Sequence, residues 1–212
     1  MNFTQSKLVN RIKAIPQFIK EEPMLYSCDY ENATKLGGFI TSEFVNALKD
    51  LGEDIENYIF DSRTQMLMPN MYPAIPGWHC DDVPRDNGTG QPNFNSLQKG
   101  SKIFTLVADL GTDSFTEFLL DPVSIPDEII KTTNTYKHIS EYIENQSVLI
   151  ERAPNWGVVE FDEMTLHRAT SAKTRGWRFW IRATKRLNRK SFPMNEIRTS
   201  ANVYVVSEHS GW

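Results

Sequence analysis

The stretch PGWHCDDVPR, residues 76 to 85, sets a histidine, a cysteine and two adjacent aspartates between Pro-Gly and Pro. In an extended backbone alternate side chains share a face, so His79 and Asp81 point one way and Cys80 the other. An imidazole and a carboxylate on one face are two legs of a metal site. Asp82 takes the place of Asp81 if the backbone is not extended, and a lone H-x-D also reads as a solvated polar turn. A second histidine, His167, stands in TLHRA, after GVVEF and the turn DEM. Read as a hairpin, these segments put His167 inside a strand. There it is either a further ligand or a core histidine bonded to a backbone carbonyl. Eleven residues on, Arg178 opens the aromatic strand WRFWIR. A buried arginine needs an anion, from the protein or from a ligand.

Two histidines and one carboxylate leave open positions on a metal, the facial arrangement of non-haem Fe(II) oxygenases. The order of these pieces resembles the Fe(II)- and 2-oxoglutarate-dependent dioxygenases built on a double-stranded β-helix, particularly their phytanoyl-CoA hydroxylase-like branch. The late part of that family runs as a glycine-led strand, F-D, L-H-x-A, a polar turn and a basic strand. Here these are Gly157, Phe161, Asp162, Leu166, His167, Ala169 and Arg178. KIFTLVADLGTDSFTEFLL is similar to the family's segment between early and late ligands, and the resemblance covers about residues 55 to 185.

The resemblance implies that His79, Asp81 and His167 hold iron and act as the catalytic set, and that Arg178 anchors the distal carboxylate of 2-oxoglutarate. The family often places Ser or Thr two residues after that arginine, where this chain has Trp180. Arg182 with Thr184 shows that pairing instead, and Arg175 is also near. Thr105, Gln65 and Tyr72 are further candidates to bond 2-oxoglutarate. Trp78, Trp177 and Trp180 could stack on a substrate, Arg85 could guide an anionic one, and Cys80 could be an oxidation-sensitive neighbour of the metal; the default for each is ordinary packing or solvation. The implied reaction consumes Fe(II)-bound 2-oxoglutarate and O2, hydroxylates a substrate, and releases succinate and CO2. A small-molecule substrate is the default. Alternatives are an oxygenase acting on nucleic acid or protein, a β-helix protein binding a small acid or metal without turnover, and a hydrolytic zinc site.

The elements that must position these residues are short strands. From about residue 55, IENYIF, RTQMLM, KIFTLVAD, FTEFLL, SVLIER, GVVEF, TLHRA, WRFWIRAT and NVYVVS are mostly rich in β-branched and aromatic residues, and turn residues separate most of them. One helix is expected within PDEIIKTTNTYKHISEYIENQ, where Ile139, Tyr142 and Ile143 share a face. Residues 1–54 read as mostly helical: Leu8, Ile12 and Ile15 form an apolar face ended by Pro16, and TSEFVNALKDLG is a helix capped by Thr41 or Ser42 and closed by Gly52. A polar loop spans about 82 to 100. The expectation is one domain over 1–212, mainly β with flanking helices, with a double-stranded β-helix (jelly-roll, cupin-like) core over 55–212.

With 212 residues the chain can bury a sizeable core, and its net charge of −4 gives no general pull toward nucleic acid or anionic membrane. Seven basic residues between Arg175 and Lys190 (Arg175, Arg178, Arg182, Lys185, Arg186, Arg189 and Lys190) form a local cluster that could meet nucleic acid or another anion. No apolar run approaches the roughly 20 residues that span a bilayer, and the N-terminal segment lacks secretory-signal features. The two cysteines do not read as a disulfide framework. A cytoplasmic setting is the expectation.

Overall fold

The computed structural model describes residues 1–97, 100–185 and 193–205. In chain order the strands are β1 (Lys7–Arg11), β2 (Leu25–Tyr26), β3 (Tyr58–Leu67), β4 (Ile103–Leu110), β5 (Thr116–Leu119), β6 (Ile150–Arg152), β7 (Gly157–Phe161), β8 (His167–Ala169), β9 (Gly176–Lys185) and β10 (Glu196–Ile197). The α-helices are α1 (Tyr30–Leu36), α2 (Phe39–Asp50), α3 (Asp127–Ile130) and α4 (Thr135–Glu144). The fold is mainly antiparallel β with flanking helices. One sheet has the order β1-β7-β4-β9-β3, a second β6-β5-β8, and β10 pairs with β2. Neither of the two larger sheets closes on itself among the described residues.

Period-two alternation gives the five-stranded sheet two different faces. Tyr58 and Phe60 of β3, Phe104, Leu106 and Ala108 of β4, Val158 of β7, and Phe179, Ile181 and Ala183 of β9 are buried in one cluster with Ile40, Phe44 and Leu48 of α2. The opposite face carries Ile103, Val159 and Phe161, which pack on Phe118 and Ala153 beside the smaller sheet. The same face of β3 and β9 bears Asp61, Arg63, Gln65, Arg178, Trp180 and Arg182. These side chains border a cavity between the sheets.

Several local expectations change. Lys7–Arg11 is a strand, not a helix: it pairs with the free edge of β7, Leu8 opposite Val159, with a bulge between Leu8 and Asn10. Ile12 and Ile15 still reach the main core, from extended chain. IENYIF and RTQMLM are not two strands; β3 runs straight through Asp61 and Ser62, because both polar side chains find partners there. Ser62 Oγ donates to the Pro23 carbonyl at 3.0 Å and accepts from the Leu25 N–H at 2.7 Å, and Asp61 accepts from the Ser27 N–H at 3.1 Å. The expected helix near 126 to 146 is split into α3 and α4, with the Thr135 hydroxyl bonded to the carbonyls of Ile130 and Thr132 in the break.

The N-terminus of α2 is not capped by Thr41 or Ser42. A distant carboxylate, Glu22, is buried there and accepts from the N–H groups of Gly38 (3.2 Å), Ile40 and Thr41 (3.3 Å) and from the Thr41 hydroxyl (2.8 Å). The other end closes as expected. Gly52 adopts φ +78°, its N–H bonds the Lys49 carbonyl, and the Glu53 N–H bonds that of Leu48, a Schellman closure. Among the described residues no helix is long and apolar enough to cross a membrane.

Candidate metal and anion site

GVVEF and TLHRA do not pair as a hairpin. β7 lies in the five-stranded sheet, whereas β8 pairs with β5 in the smaller one. The turn between them crosses from sheet to sheet. Asp162 stabilises this crossing by accepting from the Met164 N–H at 2.8 Å and the Thr165 hydroxyl at 3.1 Å. His167 is thereby carried to the wall facing β3, β4 and β9.

His79 joins the edge of β8 through two backbone bonds with His167, each 3.0 Å. Helix α4 holds this segment from behind: the Trp78 N–H donates to Ser140 Oγ at 2.8 Å, and the Tyr136 hydroxyl donates to the Cys80 carbonyl at 3.0 Å. Cys80 faces away, buried in a second core with Trp78, Phe94, Tyr136 and Ile139, and burial pushes its thiol well up. After Asp81 the chain turns at Asp82, which adopts φ +59°.

One ligand atom each from His79, Asp81 and His167 lies within 4.8 Å of the other two. Nδ1 of His79 is 2.9 Å from the Gly77 carbonyl and Nδ1 of His167 is 3.0 Å from the Thr165 carbonyl. A carbonyl only accepts, so each Nδ1 carries a proton, and in the neutral ring Nε2 presents the lone pair. These Nε2 atoms face Asp81, at 4.0 Å from Oδ1 and 3.7 Å from Oδ2 respectively. Burial and the neighbouring His167 lower the His79 pKa to about 4, which keeps its ring neutral. Burial alone would raise Asp81, but the Arg182 guanidinium beside it holds it well below the usual carboxylate range. Two imidazoles whose Nδ1 protons are held by carbonyls and an ionised carboxylate, converging over that distance, fit a first-row divalent cation.

Four arginines border the same cavity, which measures about 210 Å³. Arg182 donates to Asp81 Oδ2 at 2.7 Å and lies 3.6 Å from Asp61. Arg178 is 3 % exposed, and its Nε donates to the Ser114 carbonyl at 3.1 Å. Among the described residues no carboxylate comes within ion-pair distance of it, and burial pushes its pKa down to about 10 against the pull of Asp109. Arg178 is therefore a buried cation without an ion-pair contact among the described residues, its charge offset only in part by its cross-strand neighbour Asp109. Arg175 is exposed and does not border the cavity.

Thr105 and Gln65 border the cavity. The Thr105 hydroxyl donates to the Ile181 carbonyl at 3.0 Å. The Gln65 amide nitrogen donates to the Pro73 and Asn202 carbonyls, and among the described residues its buried Oε1 has no partner. Tyr72 pairs its backbone with Tyr204, and it is Tyr204 that reaches the cavity. Trp180 borders it too. Trp78 lies in the second core beneath Arg168, and Trp177 packs at the main core beside Lys20. Arg85 sits over the Tyr136 ring and donates to the Gly90 carbonyl. In the basic cluster, Arg178 and Arg182 turn inward; Arg186, Arg189 and Lys190 lie outside the described residues, as do Gln98 and Lys99 of the polar loop.

Asp61, Arg63, Thr116, Arg198 and Tyr204 also border the cavity and were not singled out from the sequence. Asp61 and Arg63 alternate with Gln65 along β3, a signal that was present in the spacing. Arg198 and Tyr204 return from irregular chain, where no period marks them.

No family model matches the sequence, and no curated protein matches it. Among solved structures, EvdO2 from Micromonospora carbonacea var. aurantiaca shares 15 % identity at a TM-score of 0.38, over 69 % of this chain and 59 % of that one. The same protein complexed with 2-oxoglutarate aligns at 13 % identity, with the same TM-score and coverage. EctD from S. alaskensis in its apoform shares 10 % identity at a TM-score of 0.30, over 85 % of this chain and 86 % of that one. The chain thus spans 59 % of the length of EvdO2.

Proposed function

We propose that this chain is an Fe(II)- and 2-oxoglutarate-dependent oxygenase of the phytanoyl-CoA hydroxylase-like branch, hydroxylating a small molecule, with its two facing sheets as the halves of a double-stranded β-helix. One observation carries the reading. Two imidazole Nε2 atoms and a carboxylate converge within 4.8 Å, in a cavity that also holds the buried Arg178, which has no ion-pair contact among the described residues. A metal accounts for the first feature and a dicarboxylate co-substrate for the second.

His79, His167 and Asp81 would hold the ion. Iron bound there supplies the O2-dependent oxidative decarboxylation of 2-oxoglutarate, coupled to hydroxylation of the substrate. The carbonyls of Gly77 and Thr165 keep both histidines in the ligating tautomer. Arg182 keeps Asp81 ionised and aimed. Arg178 binds the distal carboxylate by charge-assisted hydrogen bonds, whereas the donors of Thr105 and Gln65 are already given to the carbonyls of Ile181, Pro73 and Asn202. Phe161 and Ala169, on the cavity wall, limit water near the metal.

A second reading has its own support. Arg182 already occupies Asp81 at 2.7 Å, the arrangement expected of a metal-free protein that binds a small acid through Arg178. Anaerobic titration with Fe(II) and 2-oxoglutarate separates the two. The oxygenase reading expects the weak visible charge-transfer band of the chelate in wild type and its loss in His79→Ala. A folded wild type without the band leaves only the acid-binding protein.

A further inference from the structure

The cavity holds more positive charge than the iron and co-substrate site uses. Fe(II) and the 2-oxoglutarate dianion cancel each other, so the balance is set by the side chains. Arg63, Arg178, Arg182 and Arg198 border the cavity, against Asp61 and Asp81. Four cations against two carboxylates leave a surplus of positive charge in a half-buried space.

The register locates that surplus. On the cavity face of β3 and β9 the cross-strand neighbours are Asp61 with Arg182, Arg63 with Trp180, and Gln65 with Arg178. Arg182 is spent on Asp81 and Asp61, and Arg198 lies 3.2 Å from Asp61. Arg178 is assigned to 2-oxoglutarate. Arg63, in the middle of the row, is left over. Among the described residues it has no carboxylate within ion-pair distance; its contact is the Trp180 ring, 5.7 Å from the guanidinium carbon. Burial depresses its proton affinity, and Arg198 and Arg182 add to this while Tyr204 and Asp61 oppose it. A cation so placed is stabilised by a ligand oxyanion that matches its planar fork.

Resting on the oxygenase reading above, we propose that the substrate carries a carboxylate or phosphate group, gripped by Arg63 with support from Arg198, and lays its apolar part against Trp180. This gives the site a reason to accept small anionic molecules and to discriminate against their neutral analogues, for which Arg63 would stay unpaired.

The test is calorimetric titration of the anaerobic Fe(II)- and 2-oxoglutarate-loaded protein with three probes: phenyl phosphate, benzoate and benzyl alcohol. One anion or both should bind at least tenfold more tightly than the alcohol, and the tighter of them identifies the preferred group. Arg63→Met should remove that preference, and Arg63→Lys, which keeps the charge but not the fork, should weaken it at least threefold even where the methionine variant does not fold. Equal binding of all three probes to wild type overturns the proposal, as does an anion affinity unchanged in either variant. The charge-transfer band of the wild type, recorded first, judges the oxygenase reading separately. If the band is absent, the same titrations on apo-protein still decide the anion site.

Discussion

Arg178→Met separates the charge of the proposed co-substrate anchor from its packing. Arg178 is buried, and a pKa pushed down to about 10 means that holding its charge inside the apo-protein costs on the order of 3 kcal/mol. Methionine removes that cost and fills much of the same volume. It also strips the Ser114 carbonyl of its donor, which costs about 1–3 kcal/mol. The two nearly cancel, so the apo-variant should melt within a few degrees of wild type. Co-substrate binding should respond quite differently. A hydrogen bond to a charged group contributes about 1.5–3 kcal/mol, which predicts a roughly 10- to 150-fold rise in the 2-oxoglutarate Kd. Co(II) affinity without 2-oxoglutarate should stay as in wild type, because Arg178 contacts none of the three proposed ligands. Arg182→Met should do the reverse and change Co(II) binding first, since Arg182 holds Asp81. The assay is Co(II) absorbance for the metal and the Fe(II) charge-transfer band for the chelate. An Arg178→Met protein that keeps wild-type 2-oxoglutarate affinity refutes the assignment.

His79 makes apo-stability depend on pH. Its folded pKa, about 4, lies below the ordinary imidazole value. The unfolded chain therefore takes up a proton near pH 6.5 that the folded chain refuses until about pH 4, and stability falls as pH drops through that window, by on the order of 3 kcal/mol. Urea denaturation of metal-free wild type and His79→Asn across this range should give a difference curve with that slope; parallel curves would contradict it. Glu22→Gln replaces an acceptor oxygen with a donor against the N–H groups that open α2. About 1–3 kcal/mol should be lost at neutral pH, with a shifted urea midpoint at constant slope; an unchanged midpoint would show that the carboxylate does not cap the helix. In Gly176→Ala the new Cβ meets the Leu110 carbonyl and lies 2.8 Å from Gly111 C and Thr112 N, all backbone that cannot turn aside. A loss of about 1–3 kcal/mol, or roughly 2–12 °C in Tm for a chain of this length, should follow. A wild-type Tm would mean that β4 and β9 can separate freely at this point.

The strands legible in the sequence are those rich in β-branched and aromatic residues and set off by turn residues. GVVEF, KIFTLVAD and WRFWIRAT are of this kind, and each is a strand of the larger sheet. The break inferred at Asp61–Ser62 failed because local polarity says nothing about partners distant in sequence; Pro23, Leu25 and Arg182 supply them. The helix inferred around Leu8 and Ile12 failed for a related reason. A short apolar period fits either a helix or an edge strand, and only the open edge of β7 decides. Glu22 as the cap of α2 was beyond reach, because nothing local links it to Gly38.

In the candidate site, what the sequence makes legible is which residues share a face. His79 with Asp81, two residues apart, and Arg178 with Arg182, four apart, are even spacings that put both groups of each pair on one face of an extended chain whatever the topology. What spacing could not show is how those faces meet. The crossing at Asp162–Thr165 turns an expected hairpin into a bridge between sheets, and without it His167 would lie in the same sheet as the arginines instead of opposite them. The same crossing explains why so much charge is tolerated inside. Asp61 and Asp81 approach Arg182 from opposite walls, one on β3 and one on the segment fastened to β8. Arg182 is thus the electrostatic tie between the sheets, and Arg63 and Arg178, successively further along the row, are the cations that the proposals above assign to ligands.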